Sequence, residues 1–187
     1  SIQERQGLKL INYSSDSANR SISAINFQPA AKKVTPGVVH IQTVYGLGKF
    51  SMNALENYLN PHAQSSGSGV IISDDGYIVT NYHVIEDASS IEVILNNNQH
   101  FYAKVIGTDQ STDLALLKIK AHNLPFVKYG DSDSVTIGEW VLAIGNPFDL
   151  NSTVTAGIVS AKARNIRILE AKNNLQVESF IQTDAAV

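Results

Sequence analysis

An all-β fold of short antiparallel strands is what this sequence predicts, and three observations carry that expectation. From Pro36 onward, β-branched and apolar runs recur at roughly 8–12 residue spacing, as in sandwiches and barrels. Tight-turn residues punctuate the runs, with Asp74-Asp75-Gly76 and Asn96-Asn97-Asn98-Gln99 the clearest cases. No strand–helix–strand alternation appears, which argues against a doubly wound α/β fold.

Taken in order, residues 1–35 are rich in Ser, Asn and Lys, with scattered apolar anchors at Leu8, Leu10, Ile11, Ile22, Ile25 and Phe27. They read as an N-terminal arm that needs a surface to lie against. A strand is expected over 37–45 (GVVHIQTVY). The stretch 46–66 has a helical patch surrounded by Gly, Asn and Pro and is assigned to a loop. Its GLGK does not meet the G-x-x-x-x-G-K-[ST] spacing of a phosphate loop. Residues 67–85 (GSGVIISDDGYIVTNYHVI) read as two strands around Asp-Asp-Gly, with His83 near the end of the second. Residues 90–109 repeat the hairpin around the Asn-rich turn. Residues 112–120 add a strand opened by Asp113, with Leu114, Leu116 and Ile119 as core candidates.

Pro, Gly and Asp break the rhythm over 122–135, and a domain boundary is placed there. A second strand series follows at 139–147, 152–163 and 176–187, with a charged loop, 164–175, between the last two. The division expected is 1–35 arm, 36–125 first barrel, 126–187 start of a second. About six strands precede the boundary and only three or four follow it. A barrel stopped there has an open edge and an unfilled interior, so the chain is expected to be cut short.

Composition narrows the chemistry. The chain has 187 residues, 43% of them hydrophobic and 17% charged, the balance of a globular protein. A net charge of -3 offers no basic footprint for nucleic acid. The absence of cysteine excludes a thiol nucleophile, disulfides and Cys-type zinc sites. No run approaches the ~18 apolar residues of a membrane span. His40, His62, His100 and His122 lack metal-ligand spacing and no H-E-x-x-H occurs, so neither metal nor other cofactor is expected. Three triplets, at Asn12, Asn19 and Asn151, match the glycosylation acceptor pattern, which arises often by chance.

His83 and Asp113 are the pair that fits a known division of labour. A catalytic histidine takes the nucleophile's proton on one ring nitrogen while a carboxylate holds the other. Two hairpin-linked strands separate them, so both can return to the same rim of a barrel. Spacing alone leaves a structural histidine open.

The surrounding segments add to this. GSGVIISDDGYIVTNYHVI, DLALLKI, GDSDSVTIGEWVLAIGNPF, TVTAGIVSA and FIQTDAA, in this order, closely resemble the protease domain of the HtrA (Deg) family of trypsin-like serine peptidases. The resemblance covers Pro36 to Val187. It implies a chymotrypsin-type fold of two antiparallel six-stranded β-barrels, the second incomplete here, with the active site in the crevice between them. It places His83 at the family's catalytic histidine and Asp113 at its catalytic aspartate. Family members follow the TDAA segment with Gly-Asn-Ser-Gly-Gly, which supplies the nucleophile and the oxyanion hole. No serine of this chain matches that nucleophile: Ser160 and Ser179 lie in strand-like stretches without the glycines. The expected nucleophile lies beyond Val187.

The same resemblance implies loops and partners. Residues 145–151 resemble an activation-domain loop, and 162–176 a sensor loop that reports bound peptide to a neighbouring subunit. Arg164 stands where family members often carry the arginine that reaches that neighbour; a solvated loop without a specific role is the alternative. Stretch 46–66 falls where the family has a variable regulatory insertion. The implied substrates are unfolded or misfolded polypeptides. The implied assembly is a homotrimer, with Tyr13 and Phe27 as candidate contacts, and PDZ domains are expected downstream. A bacterial periplasmic or envelope location is implied, reached through a removed signal peptide, which suits a chain starting at Ser1. A competing reading keeps the same barrels as a non-catalytic peptide-binding scaffold or pseudoprotease.

Overall fold

The computed structural model describes residues 25–45, 64–146, 152–164 and 180–186. The expectations placed on most of the arm with Tyr13, on 46–63, on 147–151, on 165–179 with Ser179, and on Val187 lie outside the described residues. A short helix, α1 (Gln28–Val34), opens the described chain, with Pro29 in its first turn and Lys32 and Lys33 in its last. Those positions suit the missing N–H of proline and the negative pole of the helix. A 3-10 turn, Thr35–Gly37, leads into the first sheet.

That sheet contains β1 (Val38–Val44), β2 (Gln64–Ile71), β3 (Tyr77–Asn81), β4 (Ser90–Ile94), β5 (His100–Tyr102), β6 (Lys104–Asp109) and β7 (Leu114–Lys118). A single helical turn, α2 (Tyr82–Ile85), interrupts the series after β3. The order across the sheet is β5-β4-β1-β2-β3-β7-β6, all antiparallel where paired. The two edge strands, β5 and β6, are consecutive in the chain and separated by Ala103 alone, whose N–H donates to Ile91 O at 2.9 Å. The sheet curls into a half-barrel, with its two edge strands joined through Ala103. One bent strand supplies both edges, so seven strands stand where about six were expected.

Strand pairing also reclaims residues read as loop. β2 begins at Gln64, and Ser65 and Ser66 pair with Thr43 and Gln42 of β1. Neighbouring strands override the weak β-propensity of serine. The core inside the curl is apolar: Val39, Ile41, Ile71, Ile78, Val93, Leu117 and Ile119 are fully buried. Each such side chain contributes about 1.5–3 kcal/mol on leaving water. The expected core set on β7 is corrected. Leu114 is exposed and Leu116 half-buried, while Ala115, Leu117 and Ile119 point inward. Leu114 and Leu116 share one face of the strand and Ile119 the other, so they cannot be buried together.

The second sheet joins β8 (Trp140–Gly145), β9 (Thr153–Arg164) and β10 (Phe180–Thr183) in the order β10-β9-β8. Arg164 is the last residue of β9. Phe27 meets Trp140 of the same chain, ring centroids 5.4 Å apart, so the end of the arm lies against β8. Among the described residues, no helix is long and apolar enough to cross a membrane.

Candidate active site

His83 does not end a strand. β3 stops at Asn81 and the histidine is the second residue of α2. The chain leaves the sheet because Val84 and Ile85, adjacent in sequence, are both buried. A strand would send neighbours to opposite faces, whereas a helical turn can bury both. Gly67 of β2 makes room for this turn, since a Cβ there would come within 2.8 Å of the Val84 methyl carbons.

Asp113 sits in the turn just before β7 with φ 55, a left-handed conformation that Asp tolerates better than most residues. The turn itself is built by Asp109, whose Oδ1 accepts from Ser111 N–H at 2.9 Å and from the Ser111 hydroxyl at 2.6 Å. The Ser111 hydroxyl hydrogen bond, chiefly, holds the Asp109 carboxyl below its ordinary value. Gln110 ties the same turn to α2 by donating to the Tyr82 hydroxyl at 2.8 Å.

The two segments converge on one carboxylate. Asp113 Oδ2 accepts from His83 Nδ1 at 2.7 Å and from Asn81 Nδ2 at 3.1 Å. Asp113 Oδ1 accepts from the His83 backbone N–H at 2.9 Å, and Asp113 O accepts from Tyr82 N–H at 3.0 Å. The Asp113 side chain is 12% exposed and that of His83 68%. An ionised carboxylate can only accept, so Nδ1 carries the ring proton and Nε2 keeps a lone pair. The result is a fixed, accessible imidazole poised to take a proton from a neighbouring group.

The structure thus brings together His83 and Asp113, as the sequence paired them. Arg164, at the end of β9, belongs to the other sheet, and Ser160 lies within the same strand. Asn81 was not singled out from the sequence, although a polar residue closing an alternating strand two positions before His83 is a usable signal. His40, which lacks metal-ligand spacing, sits in the middle of β1. It is 2% exposed and donates from Nδ1 to Asn146 O at 2.6 Å. Among the described residues, no group of three His, Asp or Glu side chains could hold a metal ion.

Comparison with known proteins gives the chain its relatives. The family described as a trypsin-like peptidase domain matches residues 67–187, a span that includes both His83 and Asp113. A probable periplasmic serine endoprotease, DegP-like, of Chlamydia muridarum (strain MoPn / Nigg) is 42% identical, covering 86% of this chain and 37% of its own length. Among solved structures, the HtrA-type protease AlgW with tripeptide superposes with a TM-score of 0.71 at 39% identity, over 87% of this chain and 47% of that one.

The chain belongs to the HtrA family of trypsin-like serine proteases. A DegP-like relative from Pseudomonas fulva (strain 12-X) is 54% identical over 67% of this HtrA chain, and 25% of its own length is covered. AlgW with decapeptide gives a TM-score of 0.69 at 37% identity. The chain therefore spans little more than a third of the Chlamydia relative and about half of AlgW with tripeptide. The likeness agrees with the chymotrypsin-like all-β architecture of the two sheets.

Proposed function

We propose that the protein carrying this chain is an HtrA-like serine endopeptidase, and that His83 and Asp113 are two members of its catalytic triad. The observation that carries the reading is the 2.7 Å bond from His83 Nδ1 to Asp113 Oδ2 inside a family-matched segment. In the proposed cycle, His83 Nε2 takes the proton of a serine hydroxyl as its oxygen attacks a peptide carbonyl carbon. The imidazolium then gives that proton to the leaving amine as the C–N bond breaks. Water, deprotonated by the same nitrogen, releases the acyl group. Asp113 keeps the ring in the Nδ1–H tautomer and stabilises the imidazolium. The serine belongs, on this reading, to the Gly-Asn-Ser-Gly-Gly segment that family members carry after the residues matching Thr183 to Val187. The dyad would then stand on a first unit, 36–125, and the nucleophile on a second beginning at 126.

The finer assignments rest on the family. Unfolded polypeptides are the proposed substrates, as the family resemblance implies, and the periplasm is the proposed location, following the names of the relatives. A homotrimer with downstream PDZ domains is the proposed assembly, with Arg164 reporting bound peptide across subunits. Sedimentation of the full-length protein as a monomer would remove that last role. Equal cleavage of folded and unfolded casein-like substrates would remove the substrate preference.

The deciding experiment treats the full-length protein and its His83→Ala variant with a fluorophosphonate probe and measures intact mass and turnover. One adduct on the wild-type protein is expected. In the variant, turnover should fall ~10⁴–10⁶-fold. No adduct on the full-length protein would leave the scaffold or pseudoprotease reading in its place.

A further inference from the structure

A buried polar seam joins the two sheets, and its residues lie beside those that hold the dyad. His40, in the middle of β1, pairs across the sheet with Ser68 of β2. Its Nδ1 lies 2.6 Å from Asn146 O, and a carbonyl can only accept, so Nδ1 carries the proton. Asn146 N–H in turn donates to Ser68 Oγ at 2.9 Å. Ser68 O accepts from Thr80 Oγ1 of β3 at 2.8 Å. Asn146 follows directly on β8, so both polar groups of its backbone are fastened to the first sheet.

Asn146 is 7% exposed, and its Oδ1 is buried with no hydrogen-bond partner among the described residues. An orphaned buried acceptor is destabilising. The side-chain oxygen therefore does not hold the residue in place; its two backbone bonds, to His40 and Ser68, do. The seam residues are sequence neighbours of the site. Ser68 follows Gly67, which seats α2, and Thr80 precedes Asn81, which donates to Asp113 Oδ2.

We propose that His40 is a positioning residue for peptide cleavage. It fixes Asn146, and with it the end of β8, against β1 and β2 of the sheet whose β3 leads into His83 and whose β7 follows Asp113. This rests on the peptidase reading above. A hydrophobic residue of similar size would fill the space but leave Asn146 O without its buried donor. Asparagine restores an N–H near the position of Nδ1.

The test uses the full-length protein, with His40→Leu and His40→Asn. Two quantities are read: kcat and KM for a peptide substrate, and hydrogen exchange at the Asn146 amide. In His40→Leu the Asn146 amide should exchange faster and kcat should fall roughly tenfold to a hundredfold with KM little changed, the scale of a small misplacement. His40→Asn should recover most of both. Unchanged kcat in His40→Leu, or an equal loss in His40→Asn, would overturn the inference while leaving the peptidase reading intact. A wild-type protein without turnover would instead sink the peptidase reading and, with it, any role of His40 in cleavage. The exchange data would still decide whether His40 holds the seam.

Discussion

The two sheets hold their residues in place by different means. In the first, fully buried side chains from β1, β2, β3, β4 and β7 meet inside a curled sheet whose edges are joined by the chain itself. In the second, among the described residues, Val159 and Ala185 are the apolar side chains buried, and β8 and β10 are exposed or half-buried along their lengths. Polar bonds carry more of the load there. Asp184 Oδ1 accepts from Ile158 N–H at 2.7 Å, and Lys162 Nζ donates to Asp133 O at 2.9 Å and Val135 O at 2.7 Å. Such contacts contribute less per residue than core burial. The lesson is that the His83–Asp113 pair belongs to the sheet with the packed apolar core, while the second sheet is held by bonds that open at lower cost.

The largest expected effect isolates the dyad from either sheet's stability. Asp113→Asn keeps the volume and the turn but replaces an acceptor with an amide that can donate to Nδ1. The ring then takes the other tautomer and Nε2 loses its lone pair. Turnover of the full-length protein should fall ~10⁴-fold with little change in melting temperature. Near-normal turnover would separate this pair from catalysis and leave the comparison as one of packing alone.

A second pair of substitutions breaks the two sheets in opposite ways. Leu117→Ala removes volume from the closed core and should cost about 2–5 kcal/mol of unfolding free energy. Gly157→Ala adds volume where β9 meets the Asp184–Ala185 backbone, since its Cβ would come within 2.8 Å of Ala185 Cα. Overpacking of this kind costs about 1–3 kcal/mol. Hydrogen exchange sharpens the contrast. Gly157→Ala should expose the Ile158 amide while β3 amides stay protected. Loss of protection at β3 in that variant would mean that the sheets unfold as one unit.

What was legible in the sequence follows the same divide between local and long-range causes. The Asp74-Asp75-Gly76 hairpin was readable because turn chemistry and strand alternation act within a few residues. The His83 and Asp113 pair was readable through the motifs around it. The helical turn at His83 was not, because IVTNYHVI is mostly β-prone and the turn is set by burial of Val84 and Ile85, with Val84 packed over Gly67. The Ala103 break hides for a similar reason, since a strand that bends to close a sheet still reads as one strand. His40 was the least readable residue. Its partner is a backbone carbonyl 106 positions away, and a carbonyl carries no side-chain signature.

The smallest expected effect concerns the turn that presents Asp113. Asp109 is fully exposed, and its carboxyl is held below the ordinary value of 3.8 first of all by the Ser111 hydroxyl. The folded state thus favours the carboxylate. That preference stabilises the fold above the ordinary value and is lost as pH falls through the lower, folded one. Ser111→Ala removes the main cause and moves the folded value back toward the ordinary one. The variant should melt slightly below the wild-type protein at neutral pH, and the gap should close as acidification passes through the lowered, folded value. A gap that widened instead would mean that Ser111 acts through something other than the Asp109 carboxylate. Because the Asp113 carboxylate is held by Asn81 Nδ2 and by the backbone N–H and Nδ1 of His83, the turn should yield before the dyad does.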